Sequence, residues 1–167
     1  PSAAREASCR NGYTAMSIDS VYNAKILEYA GYIGSIGRLE QPDGRAKAHS
    51  KLCGSTVSVE VNVEDGRIVD FAQDVKACAL GQASAAIFAK DAVGRSLPEL
   101  EALKARMHAM LKEGGEPPEA PFEELKFLEP VREYRARHAS ALLVFDAAVD
   151  AMRLALDKTD SQERSVA

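Results

Sequence analysis

The sequence predicts an α+β domain, because its strands gather in one stretch and its helices lie on either side of it. Three observations support this. Val57, Val59, Val61 and Val63 alternate with Ser58, Glu60 and Asn62, the period of two expected of a half-buried strand. Glu64-Asp65-Gly66 supplies a tight turn, since Asp-Gly accepts the positive φ of a short hairpin, and Ile68, Val69 and Phe71 carry the return strand. Toward the end of the chain Leu142, Phe145, Val149, Met152 and Leu156 recur at three- and four-residue steps, the stripe of an amphipathic helix.

Composition bounds the function classes. A chain of 167 residues with 46% hydrophobic residues can build one core, which makes a single domain the expectation. The net charge of −4 argues against nucleic acid or an anionic membrane as partner. No apolar run reaches the roughly 18 residues that suggest a membrane span. Three widely spaced cysteines do not make a disulfide framework; they fit a reducing compartment, cytoplasmic or like the mitochondrial matrix, where thiols bind metal or react. Oligomeric state has no signature, although the small-residue helix after Cys78 offers a close-packing surface.

In chain order, residues 1–16 are small, polar and aperiodic, with no apolar core of a secretory signal; they are expected to be a disordered extension in which Met16 reads as a start and Cys9 has no role. The domain is expected over residues 17–157, followed by a disordered tail, 158–167. Asp19 or Ser20 can cap a first helix that ends in the glycines 31, 34 and 37. Gln41-Pro42-Asp43-Gly44 is a turn into a short strand from Arg45 to Leu52. Cys78 precedes a helix rich in Ala, Ser and Gly that Gly94 closes. Ser96, with Glu99 three residues on, opens the next helix as a capping box. A loop at residues 113–118 follows, then a helical segment from Phe122 to Leu128 stopped by Pro130.

The chemistry concentrates at the two cysteines. A hairpin folds its ends back together, so Cys53 and Cys78 can finish on the same side of the sheet although 25 residues separate them. Cys78 sits just before a helix N-terminus, where free N–H groups stabilise a thiolate; the alternative is a small buried hydrophobe. The helical stripe continued one step back lands on His138, which is therefore placed on the core-facing side, as a ligand or as a satisfied core histidine. His49 and His108 read as surface or structural residues. No nucleophile elbow, HExxH or phosphate-binding loop is present.

Cys53-Gly54-Ser55 before a strand, a hairpin, Cys78 before a small-residue helix, and the basic run Arg135-Ala136-Arg137-His138-Ala139-Ser140 entering the last helix resemble the U-type iron–sulfur cluster scaffolds: IscU, SufU and the N-terminal domain of NifU. The resemblance covers roughly residues 20–155, and the insertion around residues 95–125 is more like SufU than IscU. It implies a small antiparallel three-stranded sheet with helices packed on one face, the SufE/NifU-like arrangement. It also implies three ligands at one end that bind a transient iron–sulfur cluster or a zinc ion. Cys53 matches the first ligand and Cys78 the second. In the SufU-like register His138 stands at the third cysteine, whereas the IscU-like register leaves Ala139 there. Ser55 stands where the family has a helper aspartate, and its neutral hydroxyl makes a weak ligand.

The function implied is a scaffold or sulfur carrier that accepts sulfur from a cysteine desulfurase, through Cys78 or Cys53, and passes a cluster to apo iron–sulfur proteins. A zinc-dependent sulfurtransferase-like role is a close variant. The alternative is a degenerate relative serving as a non-catalytic structural or interaction subunit of a larger complex.

Overall fold

A computed structural model describes residues 23–166. Helix α1 (Ala24–Gly31) leads to three strands, β1 (Gly44–His49), β2 (Thr56–Glu64) and β3 (Arg67–Lys76). Helices α2 (Ala79–Asp91) and α3 (Leu97–Lys112), a 3₁₀ segment (Glu123–Glu133) and the long helix α4 (Arg135–Val166) complete the chain. The sheet is antiparallel in the order β1-β2-β3. It is the α+β architecture expected from the sequence.

The period of two in β2 decides which face is covered. Val57, Val59 and Val61 are fully buried against the helices, while Ser58 and Asn62 on the alternate face are half-buried. The turn between β2 and β3 uses Asp65 at φ 53° and Gly66 at φ 77°, the two left-handed residues of a primed hairpin turn. Helix α4 crosses β1 and β2, and its closest approach is at Gly44, where a Cβ would collide with the Ala151 carbonyl. Phe88 on α2 joins the layers: its ring meets Phe71 of β3 and Phe145 of α4 edge-on and stacks on Phe122.

Several boundaries differ from the sequence expectation. Asn23 is the N-cap of α1, its side chain accepting from the Ile26 N–H at 3.0 Å; Asp19 and Ser20 lie outside the described residues, as do Cys9 and Met16. β1 ends at His49, and Lys51–Cys53 form a turn, because Gly54 at φ 70° reverses the chain before β2. The segment after Phe122 runs as 3₁₀ helix through Pro130 to Glu133, since proline lacks only its own N–H and can begin a new turn. The capping box at Ser96 and Glu99 is present as expected.

Residues 158–166, expected as a tail, continue α4. No glycine or proline interrupts the chain from Arg135 onward, and Thr159 and Ser161 hydroxyls donate back to the carbonyls of Ala155 and Asp157. The stripe is buried as far as Met152, after which Ala155 is the last buried residue and Leu156 is half-buried. Among the described residues no helix is long and apolar enough to cross a membrane.

Candidate functional site

One end of the sheet carries both described cysteines. The loop from Ser50 to Ser55 is closed by two backbone hydrogen bonds, Ser50 N–H to Ser55 O and Gly54 N–H to Ser50 O, each 2.9 Å. That closure leaves Cys53 exposed and holds Ser50 and Ser55 buried beneath it. Cys78 is delivered from the far end of β3 as the N-cap residue of α2 and is half-buried. Its backbone is extended and its side chain makes no capping hydrogen bond, so the sulfur does not engage the free N–H groups of the helix. It turns instead toward α4, with Ser140 Oγ at 3.0 Å.

Serine hydroxyls connect the two sulfurs. Cys53 Sγ lies 3.3 Å from Ser50 Oγ and 3.1 Å from Ser55 Oγ. Ser55 Oγ is 3.5 Å from Ser140 Oγ, which in turn meets Cys78. Ser140 is 1% exposed. Its closeness to α2 depends on Gly81, where a Cβ would sit 2.8 Å from Ser140 Oγ and 2.7 Å from Ala77 Cβ.

The electrostatic consequence falls on Cys53. Burial of the thiol's surroundings pushes its pKa up, but the hydroxyls of Ser50 and Ser55, the Ser55 backbone N–H and the Ser140 hydroxyl outweigh that effect and bring it down to about 7. Hydroxyl donors favour the thiolate because they bond the charged form more strongly than the neutral one. An exposed sulfur that is half ionised near neutrality is a competent nucleophile and a soft metal ligand.

His138 is buried at 6% exposure, as the stripe requires, but its ring is used elsewhere. Nε2 lies 3.0 Å from the Val131 carbonyl and 3.1 Å from that of Arg132. Carbonyls only accept, so this nitrogen carries the proton and donates to the end of the 3₁₀ segment. The physical reason is helical geometry: two residues along a helix rotate a side chain by about 200°. Ser140 faces the cysteines, and His138 therefore faces away from them. Among the described residues, no three His, Cys, Asp or Glu side chains come together as a metal-holding group. An open zinc site needs three such protein ligands and a closed one four, so the donor set among the described residues does not fit a resident zinc. Two cysteine sulfurs flanked by neutral hydroxyls are soft donors, a set that suits soft metals better than hard cations.

Ser50 and Ser140 were missed in the sequence. The available signal was a serine inside a long apolar helical run, Ala139-Ser140-Ala141-Leu142-Leu143, because a buried hydroxyl there must find a partner. His49 ends β1 exposed, and the His108 ring lies 3.5 Å from the Asp146 carboxylate between α3 and α4, away from the cysteines.

A three-stranded antiparallel sheet covered on one face by helices, with two cysteines at one end, is the architecture of NifU-like scaffold domains. The chain belongs to the NifU-like N terminal domain family, whose model matches residues 21–138. It is 52% identical to a nitrogen-fixing NifU-like protein (N-terminal) from Brucella abortus, whose crystal structure superposes with a TM-score of 0.82 over 84% of this chain and 98% of that one. The fold is shared with a SUF-system iron–sulfur cluster assembly scaffold candidate of Fervidobacterium islandicum AW-1, at 22% identity, TM-score 0.70, 79% of this chain and 96% of that one. The iron–sulfur cluster assembly scaffold protein IscU of Thermotoga maritima is 22% identical over 138 residues, 83% of this chain and 96% of its own.

Proposed function

We propose that this protein is a scaffold or sulfur carrier in iron–sulfur cluster assembly, with Cys53 as sulfur acceptor and Cys53 and Cys78 as the thiolates that hold the cargo. The observation that carries the reading is the exposed Cys53 thiol, at a pKa of about 7 and joined to Cys78 through Ser55 and Ser140. The donor is a persulfide on a cysteine desulfurase. The Cys53 thiolate attacks the outer sulfur of that persulfide, a Cys53–S bond forms and the donor's S–S bond breaks. The electron pair leaves on the donor cysteine, a thiolate that takes up a proton. Iron, sulfide and the nascent cluster are cargo, held by soft thiolates and passed on to an apo iron–sulfur protein in a reducing compartment such as the cytoplasm.

The serine hydroxyls bear on this role. The sequence places Ser55 as a weak ligand, and its hydroxyl is better used donating to the Cys53 thiolate. Without a carboxylate or a third thiolate, affinity for iron is modest, which favours release over storage. His138 holds the 3₁₀ segment against α4 and leaves the cargo to the cysteines and Ser140.

The test is the iron and acid-labile sulfide content of anaerobically reconstituted protein, compared with Cys53→Ser and Cys78→Ser variants. Iron and sulfide in equal amounts, lost in either variant, support the reading. Protein that takes up neither, or variants that keep both, would instead support a structural subunit that retains only the fold.

A further inference from the structure

The outer face of the sheet carries a second feature, independent of the cysteines. After α1 the chain runs beside β3, where the Gly37 N–H donates to Gln73 O at 3.0 Å, and then crosses the sheet to enter β1. It is pinned again at Asp43, whose N–H donates to Val61 O at 3.0 Å and to Asn62 Oδ1 at 2.9 Å. Between these ties the Leu39 N–H donates to Glu60 Oε2 at 2.7 Å. Glu60 projects from the solvent side of β2 yet is only 3% exposed, because this crossing covers it. Its other oxygen accepts from Arg45 Nε at 2.6 Å and pairs with Arg45 Nη2. The buried carboxylate thus has two partners, as a buried charge requires.

The crossing and the strands beneath it enclose a cleft of about 400 Å³, within the size range of small-ligand sites. Arg38 stands on the crossing and Arg45 and Lys47 on β1; Ser58 and Asp74 continue the row across β2 and β3. Arg45 is committed to Glu60, whereas among the described residues neither Arg38 nor Lys47 has an ion-pair partner. Two uncommitted cations and a serine hydroxyl therefore face a preformed concavity on a protein whose net charge is −4. The carboxylate of Asp74 at the far rim opposes any anion long enough to fill the cleft.

We propose that this cleft binds a compact oxyanion, a phosphate or carboxylate group, held between the Arg38 guanidinium and the Lys47 ammonium with Ser58 donating from the floor. Guanidinium and ammonium donors to an oxyanion form charge-assisted hydrogen bonds, roughly twice as strong as neutral ones. The ligand's remainder points away from Asp74 unless it carries a hydrogen-bond donor, in which case Asp74 accepts it. Because the crossing is tied at both ends and to Glu60, the site is formed before the ligand arrives.

The test is titration of the full chain with inorganic phosphate and, separately, citrate, followed by backbone amide shifts. Saturable shifts at Lys47 and Ser58 are expected, with affinity falling about tenfold in an Arg38→Gln/Lys47→Gln double variant and rising in Asp74→Asn. Both positions are exposed, so the double variant keeps its fold, which its unchanged amide spectrum elsewhere verifies. Phosphate binding alone assigns a phosphoryl ligand, and citrate binding alone a carboxylate one. No saturable shift with either probe up to about 10 mM, or shifts unchanged in the double variant, would overturn the proposal. Loss or retention of metal at the cysteines does not enter the result.

Discussion

Cys53 and Cys78 are built by opposite means, and under the proposed function the contrast separates two roles. Cys53 rides a short loop, exposed, over two buried serines. Cys78 is fixed at the junction of a strand and a helix, half-buried, with Ser140 as its polar neighbour. The sequence places Cys78 at a helix N-terminus, where free N–H groups and the helix dipole favour a thiolate. The Cys53 thiol is brought down to about 7 without a helix end, by hydroxyl and backbone donors of its own loop together with Ser140. A helix end activates a sulfur only when the side chain is aimed at the free N–H groups, and Cys78 is aimed across at α4. One thiol is exposed; the other is half-buried.

The largest expected effect on this contrast comes from removing one sulfur at a time. Cys53→Ser is expected to abolish sulfur acceptance, while Cys78→Ser leaves acceptance intact and impairs retention of iron, as read by persulfide labelling and metal analysis respectively. Equal loss of acceptance in both variants would erase the distinction.

Gly81→Ala attacks the wall between the two environments. The added Cβ would fall within 2.8 Å of Ser140 Oγ and 2.7 Å of Ala77 Cβ, so α2 must shift from α4. Overpacking of this kind costs about 1–3 kcal/mol, measurable by denaturant unfolding. Disturbance of Ser140 is also expected to lower iron retention more than sulfur acceptance.

The pH dependence of Cys53 sharpens the comparison further. A thiol with its pKa lowered to about 7 is protonated below that pH and ionised above it. Alkylation of Cys53 should therefore accelerate as pH rises and level off above a midpoint near 7. Ser55→Ala removes a hydroxyl donor to the thiolate, so the midpoint moves upward and the rate at neutral pH falls. A profile unmoved by that substitution would show that the loop serines do not tune the sulfur.

His138→Ala has the smallest expected effect on the cysteines. It deprives the Val131 and Arg132 carbonyls of their donor and empties a buried position, and is expected to cost about 1–3 kcal/mol in stability. Sulfur acceptance and iron content should not change. Iron lost at unchanged stability would instead support the histidine as a ligand.

The fold was legible where periodicity and turn chemistry agreed. The four alternating valines, the Asp65-Gly66 turn and the Ser96–Glu99 capping box each became the expected element, and the hairpin brought the two cysteines to one end. The site was legible only as far as residue types that announce chemistry. His138 drew attention because histidine is a ligand type, and its burial was correctly read from the stripe. Periodicity, however, separates buried from exposed and not one buried direction from another. Ser140, two residues on, points to the cysteines while His138 points to the 3₁₀ segment. Ser50 was hidden for a different reason: its role depends on closure of the 50–55 loop, which two backbone hydrogen bonds create.

The most direct test is to mix the protein with a cysteine desulfurase and free cysteine under anaerobic conditions, then map persulfide by peptide mass spectrometry in wild type, Cys53→Ser and Cys78→Ser. The account predicts a one-sulfur addition on the peptide containing Cys53, present in wild type and Cys78→Ser and absent from Cys53→Ser. Sulfur found on Cys78 alone, or on neither cysteine while the desulfurase remains active, would contradict it.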